Sequence, residues 1–426
     1  MLSTRLDELA RLTEPNQPPV TRLAYTPLER RAHELFADWM REAGCEVHTD
    51  PAGNTIAERA GTLRWAPALG TGSHLDTVYG GGRFDGMAGV VAAAEVAGLL
   101  AAQGVVTTHP LRFVAFAAEE GARFGQACIG SKLAAGLSSL EELQERNDRD
   151  AITVAEAMQA VGFDPGEAAQ RTWRASEWAA FLELHIEQGS VLEADDVGIG
   201  VVDLISGSTR LELTLTGQAS HTGGTPMRGR SDALAAAAEA VLIAEDIALD
   251  SRHHGTRATV GQLQVWPGSI TTIPGRTRLS VDVRDIDADR QRLSAAEIVR
   301  RVQAACDRRR VRLDVHLLAD TSPVVLPVWV RQAITEAAQQ QGVSYRVLTS
   351  GASHDSQMIN RLTPTGMVFV PSKAGLSHVP EEWTSATDLA TGVQVLASAL
   401  LNLDARLAGL ADPPAAQGTS AAKDRP

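Results

Sequence analysis

Several apolar stretches of this chain stop abruptly at a histidine or a carboxylate. The segment "APALGTGSHLD" ends at His74 and Asp76, and "LRFVAFAAEEG" ends at Glu119 and Glu120. "FLELHIEQGS" places His185 at the end of an apolar run, and "AGLSHVPEEW" carries His378. Asp85 follows three consecutive glycines in "YGGGRFDG". Burying a charge without a partner is expensive, so one such ending would be a solvated turn but a series of them demands a shared destination. In an α/β sheet the strand ends open onto one crevice, which is where ligands bind. The pattern therefore constrains the chain to a sheet whose strands finish side by side.

The intervening segments agree. Thr26–Gly44 carries Leu28, Ala32, Leu35, Phe36, Trp39 and Met40 at helical spacing. "CEVHTDPAGNTIAER" reads as strand, turn, strand, and the Ala-rich run from Gly86 reads as a buried helix. Apolar strands alternating with helices predict an α/β fold, a mixed sheet covered by helices on both faces. Between about Ser208 and Ser322 the pattern changes. "RLELTLTGQ" alternates Leu211, Leu213 and Leu215 with polar residues. A helix at Ser231–Asp250, strands at Arg257–Trp266 and Arg276–Asp285, a helix at Asp289–Arg308 and a strand at Val311–Leu318 follow. That order, βαββαβ, is the split-βαβ sandwich and predicts a small domain at 208–322 inserted into a larger one at 1–207 and 323–412. The tail at 413–426, poor in large apolar side chains, is expected to be disordered.

Composition excludes several functions. At 426 residues the chain is long enough for two lobes. A formal charge of −13 with no concentrated basic stretch argues against a nucleic-acid partner. Gly86–Val106 is interrupted by Glu95, which argues against a membrane span, and "MLSTRLDELARL" has charges where a signal peptide needs an apolar core. Three scattered cysteines, Cys45, Cys128 and Cys306, make neither a disulfide framework nor a CxxC metal site. These features together predict a cytoplasmic protein.

His nitrogen and carboxylate oxygen are the ligand types of zinc and related transition metals. Asp76, two residues past His74, is placed to accept the imidazole's other N–H and fix its tautomer. The glycines before Arg83 would let the loop fold tightly enough to return Asp85 toward His74. Alone, His185 reads as a satisfied core histidine, and Glu119–Glu120 as a solvated strand end. Together they read as a metal centre.

The stretches "GSHLDT", "GGRFDGMAGV", "AFAAEEGARFG", "LELHIEQG", "GQASHTGGTPM", "IPGRTRLSVDVR", "SGASHDSQM" and "PSKAGLSHVPEEWT" resemble, in order, the N-carbamoyl-L-amino acid hydrolase, allantoate amidohydrolase and β-alanine synthase group. That group lies within the wider clan of di-metal aminoacylases and carboxypeptidases. The resemblance implies two divalent ions (zinc, manganese, cobalt or nickel) bridged by Asp85, with His74 and His185 on one and Glu120 and His378 on the other. It implies Glu119 as general base, His221 as an oxyanion donor from its own or a partner subunit, Arg284 on the substrate carboxylate and Gln188 in the pocket. The inserted domain would be the lid and dimerisation domain, making the protein a homodimer. Two such ions would acidify a shared water, and Glu119 would take its proton and return it to the leaving nitrogen. The expected products are an amino acid, ammonia and carbon dioxide.

Without the resemblance, Arg284 reads as an ordinary solvated arginine on the polar face of an alternating strand. Its guanidinium fork nevertheless matches a carboxylate. His354, in "SGASHDS", is a candidate pocket residue with no assigned partner. The chain departs from the group in the turn "PGSITTIPG", where Gly268 and Thr271 stand in place of asparagines. Thr271 still donates one hydrogen bond but lacks an amide's reach, which bears on the substrate and not on the metal chemistry. The leading reading is cleavage of the ureido group of an N-carbamoyl-L-amino acid or related ureido acid, with an allantoate amidohydrolase as the alternative; two other readings compete. One is an N-acyl amino acid hydrolase or dipeptidase sharing the metal site, and the other is a silent scaffold that kept the fold.

Overall fold

A computed structural model describes residues 1–17 and 19–411; the 413–426 tail lies outside them. The chain first lays down β1 (Glu46–Thr49), β2 (Thr55–Arg59), β3 (Ala68–His74), β4 (Leu111–Phe116), β5 (Trp178–Ile186) and β6 (Ile199–Ile205). It then builds β7 (Gly207–Thr216), β8 (Ser220–His221), β9 (Arg257–Thr259), β10 (Leu263–Trp266), β11 (Thr272–Ile273), β12 (Arg276–Asp285) and β13 (Arg312–Thr321). Last come β14 (Val324–Val325), β15 (Tyr345–Ser350) and β16 (Thr365–Val370).

The large sheet runs β1-β2-β4-β3-β5-β16-β6-β14, with β15 also on β6. Its centre is parallel: β3 pairs in parallel with β4 and β5, and β16 with β5. The flanking β1–β2 and β2–β4 pairs are antiparallel, so the sheet is mixed, as the sequence predicts. One core joins Leu69, Phe113, Leu182, Leu184 and Val368 to helices Pro27–Glu42, Met87–Ala102, Val328–Gln340 and Ala386–Ala411. A second joins Val114, Phe116 and Phe181 to Ala134 and Ile359, on helices Ile129–Ala134 and Asp355–Ile359. Strands β3, β4 and β5 are buried on both faces, which explains their nearly unbroken apolar runs.

The second sheet runs β10-β12-β7-β13, with β9 also on β12. Leu211, Leu213, Leu215, Leu279, Val281 and Val283 face helices Ala233–Leu249 and Ala288–Arg309. The opposite, polar face carries no helix of that cluster. The single strand expected at Arg257–Trp266 is two strands. Thr259 faces Asp282 and Leu263 faces Leu279, so four steps on one strand meet three on the other. The extra residue, beside Gly261, breaks the ladder locally.

Candidate active site

Because β3, β4 and β5 are parallel neighbours, their C-terminal ends share one edge. His74, the last residue of β3, pairs with Phe116 of β4, so Glu119 and Glu120 emerge just beyond it. His185 is the penultimate residue of β5, whose Ile186 pairs with Val370 of β16. Asp85 sits in the β3–helix connection and His378 in the loop before the last helix.

These side chains meet around one carboxylate. Asp85 Oδ1 lies 3.5 Å from His74 Nε2 and 3.1 Å from His185 Nε2. Its Oδ2 lies 3.1 Å from His378 Nε2, which is in turn 3.5 Å from Glu120 Oε1. The ligand atoms form two sets, His74–Asp85–His185 and Asp85–Glu120–His378, each within 4.8 Å of one another. Asp85 belongs to both. His185 Nε2 is buried without a hydrogen-bond partner, an orphan that an ion would satisfy. The donor set, imidazole and carboxylate, fits divalent transition metals.

Charge perturbation is concentrated here. Burial would push the Asp85 carboxyl up, yet the adjoining imidazoles of His185, His378 and His74 hold it well below the usual range. Burial raises Glu120 to about 7, and the Glu120 charge lifts His378 to about 10. Four of the nine non-glycine residues with positive φ among the described residues, Ala118, Cys128, Gln188 and His378, flank this site. Such strain persists only where surrounding structure enforces it.

The scaffold differs from the sequence reading at Asp76. The His74 Nδ1 partner is the Asp76 backbone carbonyl at 3.1 Å, with the carboxylate farther away at 3.7 Å. The Asp76 carboxylate instead accepts the backbone N–H groups of Glu119 and Glu120, both at 2.8 Å, and so fixes the end of β4. The triple-glycine loop does return Asp85 toward His74, and it is held in place. Among these glycines only Gly80 has a positive φ, and a Cβ at Gly82 would stand 2.2 Å from Glu382 Oε1. Glu382 accepts the N–H groups of Phe84 and Asp85 at 2.8 and 3.0 Å, pinning the loop. Gly86, at φ 65°, is needed for another reason, since a Cβ there would lie 2.4 Å from the His74 ring.

Glu119 sits beside the cluster, with Oε2 3.8 Å from His74 Nε2 and Oε1 accepting from Cys128 Sγ at 3.1 Å. Gln188 donates to Asp85 Oδ2 at 2.7 Å. His354 is buried edge-on against His185, with ring centroids 4.5 Å apart, and its Nε2 bonds Ser350 Oγ at 2.8 Å. Burial, then the neighbouring His185, pulls its pKa well below the usual imidazole range. Arg284 lines the crevice but is engaged, donating to Asp282 Oδ2 at 3.0 Å and to the Gly351 carbonyl at 3.1 Å.

His221 and Thr271 are not brought to this cluster. Both are exposed on the β8–β11 ribbon, where Thr272 pairs with His221, and neither lines the crevice.

Sequence reasoning overlooked Glu29, which is fully buried and accepts N–H groups from Tyr25 and Ala118, holding the segment before Glu119. Its place in the first turn of a Thr26-capped helix reads as ordinary capping. It also overlooked Asp355, buried with neither carboxylate oxygen hydrogen-bonded; burial and then the Glu119 charge push its pKa well up.

The crevice has a volume of about 1070 Å³ and runs from Glu120, Gln188 and His378 to the polar face of the second sheet at Arg210, Asp282 and Arg284. Residues 60–402 match the profile of peptidase family M20/M25/M40. The chain is 42% identical to an N-carbamoyl-L-amino acid amidohydrolase of Geobacillus stearothermophilus, covering 92% of this chain and 95% of that one. It is 40% identical to an enzyme of the same name from Paenarthrobacter aurescens, covering 95% and 97%. A hydantoinase/carbamoylase-family amidase from Burkholderia vietnamiensis superposes with a TM-score of 0.89 at 36% identity, covering 94% of this chain and 96% of that one.

Proposed function

The chain belongs to peptidase family M20/M25/M40, and on that premise we propose that it is a metal-dependent amidohydrolase removing the ureido group of an N-carbamoyl-L-amino acid. The observation that carries the reading is the division of Asp85, one oxygen toward His74 and His185 and the other toward His378, with Glu119 alongside. In this reading His74, His185 and Asp85 hold one divalent ion, and Asp85, Glu120 and His378 a second. Zinc, manganese, cobalt or nickel bound there would acidify a water and polarise the ureido carbonyl.

The protein's own groups do the rest. Glu119 takes the proton of the attacking water and passes it to the departing nitrogen, and its position beside His74 supports that shuttle. Asp76 holds Glu119 and Glu120 in place through their backbone N–H groups. His221 Nδ1 accepts from the Gly223 and Gly224 N–H groups, both at 3.0 Å, which leaves its proton on Nε2 and makes it a donor suited to an oxyanion. Its exposure on the ribbon favours action on the partner's site, so residues 208–322 serve as lid and dimerisation domain of a homodimer. Thr271 sits beside it and would meet the same substrate. Arg284 takes the substrate carboxylate, sharing its fork with Asp282; Gln188 lines the acyl side, and His354, buried and absent from the crevice lining, buttresses His185. Among the described residues no helix is long and apolar enough to cross a membrane, and we place the enzyme in the cytoplasm.

The test is ammonia release by metal-stripped protein reconstituted with Mn²⁺, Co²⁺ or Zn²⁺. Substrates are N-carbamoyl-L-amino acids, N-carbamoyl-β-alanine, allantoate and N-acetyl amino acids. Ammonia together with free amino acid is expected. Amino acid without ammonia, from acetyl compounds alone, would make the protein an aminoacylase.

A further inference from the structure

The wall of the crevice opposite the histidines carries more positive charge than one substrate carboxylate needs. Arg210, Asp282, Arg284 and Arg257 all line the crevice. They occupy the face of the second sheet opposite the one that packs Leu211, Val281 and Val283 against helices. The register makes them a compact block: Asp282 lies directly across from Arg210 on β7, and Arg284 directly across from Arg257 on β9. One carboxylate thus stands among three guanidiniums and pairs with two of them. Asp282 Oδ2 is 3.0 Å from Arg284 Nη2 and 3.6 Å from Arg210 Nε. Arg257 has no carboxylate partner among the described residues.

Like charges directly opposite one another on antiparallel strands are destabilising, so the Arg257–Arg284 pair calls for a reason. Both side chains converge on the same spot. Arg284 Nη1 donates to the Gly351 carbonyl at 3.1 Å, and a Cβ at Gly351 would stand 2.9 Å from Arg257 Nη1. In a chain of net charge −13, two guanidiniums facing each other beside a bare glycine can meet two sets of anionic oxygens rather than one. The Cβ atoms of such cross-strand pairs lie about 4.5–5.5 Å apart, close enough for the two guanidiniums to reach two carboxylates joined by a short carbon chain.

We propose that this site selects ureido acids bearing a second carboxylate, N-carbamoyl-L-aspartate being the simplest, with Arg284 on the α-carboxylate and Arg257 on the side-chain one. The proposal rests on the amidohydrolase reading and adds its substrate class. Arg257 is the residue that sets specificity.

The experiment compares kcat/KM for N-carbamoyl-L-aspartate with that for its neutral isostere N-carbamoyl-L-asparagine, in the wild type and in Arg257→Gln. The aspartate compound should lead by about 10- to 100-fold in the wild type, and that ratio should fall to near one in the variant. A wild-type ratio of one or less, or a ratio untouched by Arg257→Gln, overturns the proposal. Calorimetric titration of metal-free wild-type protein with the same two compounds provides a second readout, independent of turnover. Tighter binding of the aspartate compound supports the arginine pair and equal binding overturns it, whatever the variant's folding. Absence of ammonia from every ureido compound would sink the amidohydrolase reading instead, and the titration would still decide the pair.

Discussion

Asp85 and Asp285 are both buried carboxylates, 6% and 2% exposed, one at the edge of the large sheet and the other at the end of β12. Their surroundings differ in kind. Asp285 is met by the Arg290 guanidinium, the Thr256 hydroxyl and the Asp287 N–H, groups that belong to its own sheet and the following helix. Asp85 is met by three imidazole nitrogens, one of which has no other partner, and on Oδ2 by Gln188 and the Ser377 hydroxyl. A fixed guanidinium completes a buried charge and makes it architecture. Converging imidazoles leave it open to a cation, and that openness is the functional signal.

The largest way to sharpen the contrast is Glu119→Gln, which should lower kcat by about 10²–10⁴ while leaving bound metal, measured by elemental analysis, unchanged. An unaltered rate would remove Glu119 from the proton shuttle. Next in size is the metal itself. Saturating Mn²⁺ or Zn²⁺, at about 100 times Kd, should add about 2.7 kcal/mol of stability to the wild type and much less to Asp85→Asn, read by thermal melts. Equal shifts in both proteins would make the Asp85 cluster ordinary packing.

Asp76→Asn should cost about 10- to 100-fold in kcat or metal affinity, because the amide cannot accept both the Glu119 and Glu120 N–H groups. The smallest effect belongs to the other aspartate. Asp285→Asn should destabilise by about 1–2 kcal/mol at pH 7, since solvent reaching Arg290 screens the pair. Burial would raise the Asp285 pKa, but Arg290, Thr256 and the Asp287 N–H lower it further. With a depressed folded-state value, the stabilisation is complete above the unfolded value of about 4 and is lost as pH falls through the folded one. The wild-type and Asp285→Asn denaturation midpoints should therefore converge in acid. A gap that widens below pH 4 would reverse the sign of this coupling.

Much of the fold was legible because apolar periodicity is a local property. The alternation Leu279, Val281, Val283 and the unbroken run Leu111–Phe116 each announce how many faces of a strand are buried. The Arg257–Trp266 break was not legible, because a single extra residue shows only against its partner strand. In the site, residue types at strand ends marked the ligand candidates, whereas supporting contacts stayed hidden. Glu29 looks like a capping residue, Glu382 like one half of a surface Glu–Glu pair, and Asp76 like the nearest partner for His74.

The sequence by itself determined the alternation of strands and helices, the apolar patterns of the two sheets, the family and which side chains have the chemistry of metal ligands, since all of these are carried by spacing and residue type along the chain. Only the tertiary structure decided that Asp85 faces two separate ligand sets, that Asp76 grips the backbone after β4, and that Arg257 stands across from Arg284. Those facts depend on register and loop path between residues far apart in sequence, where a shift of one residue turns a side chain to the opposite face.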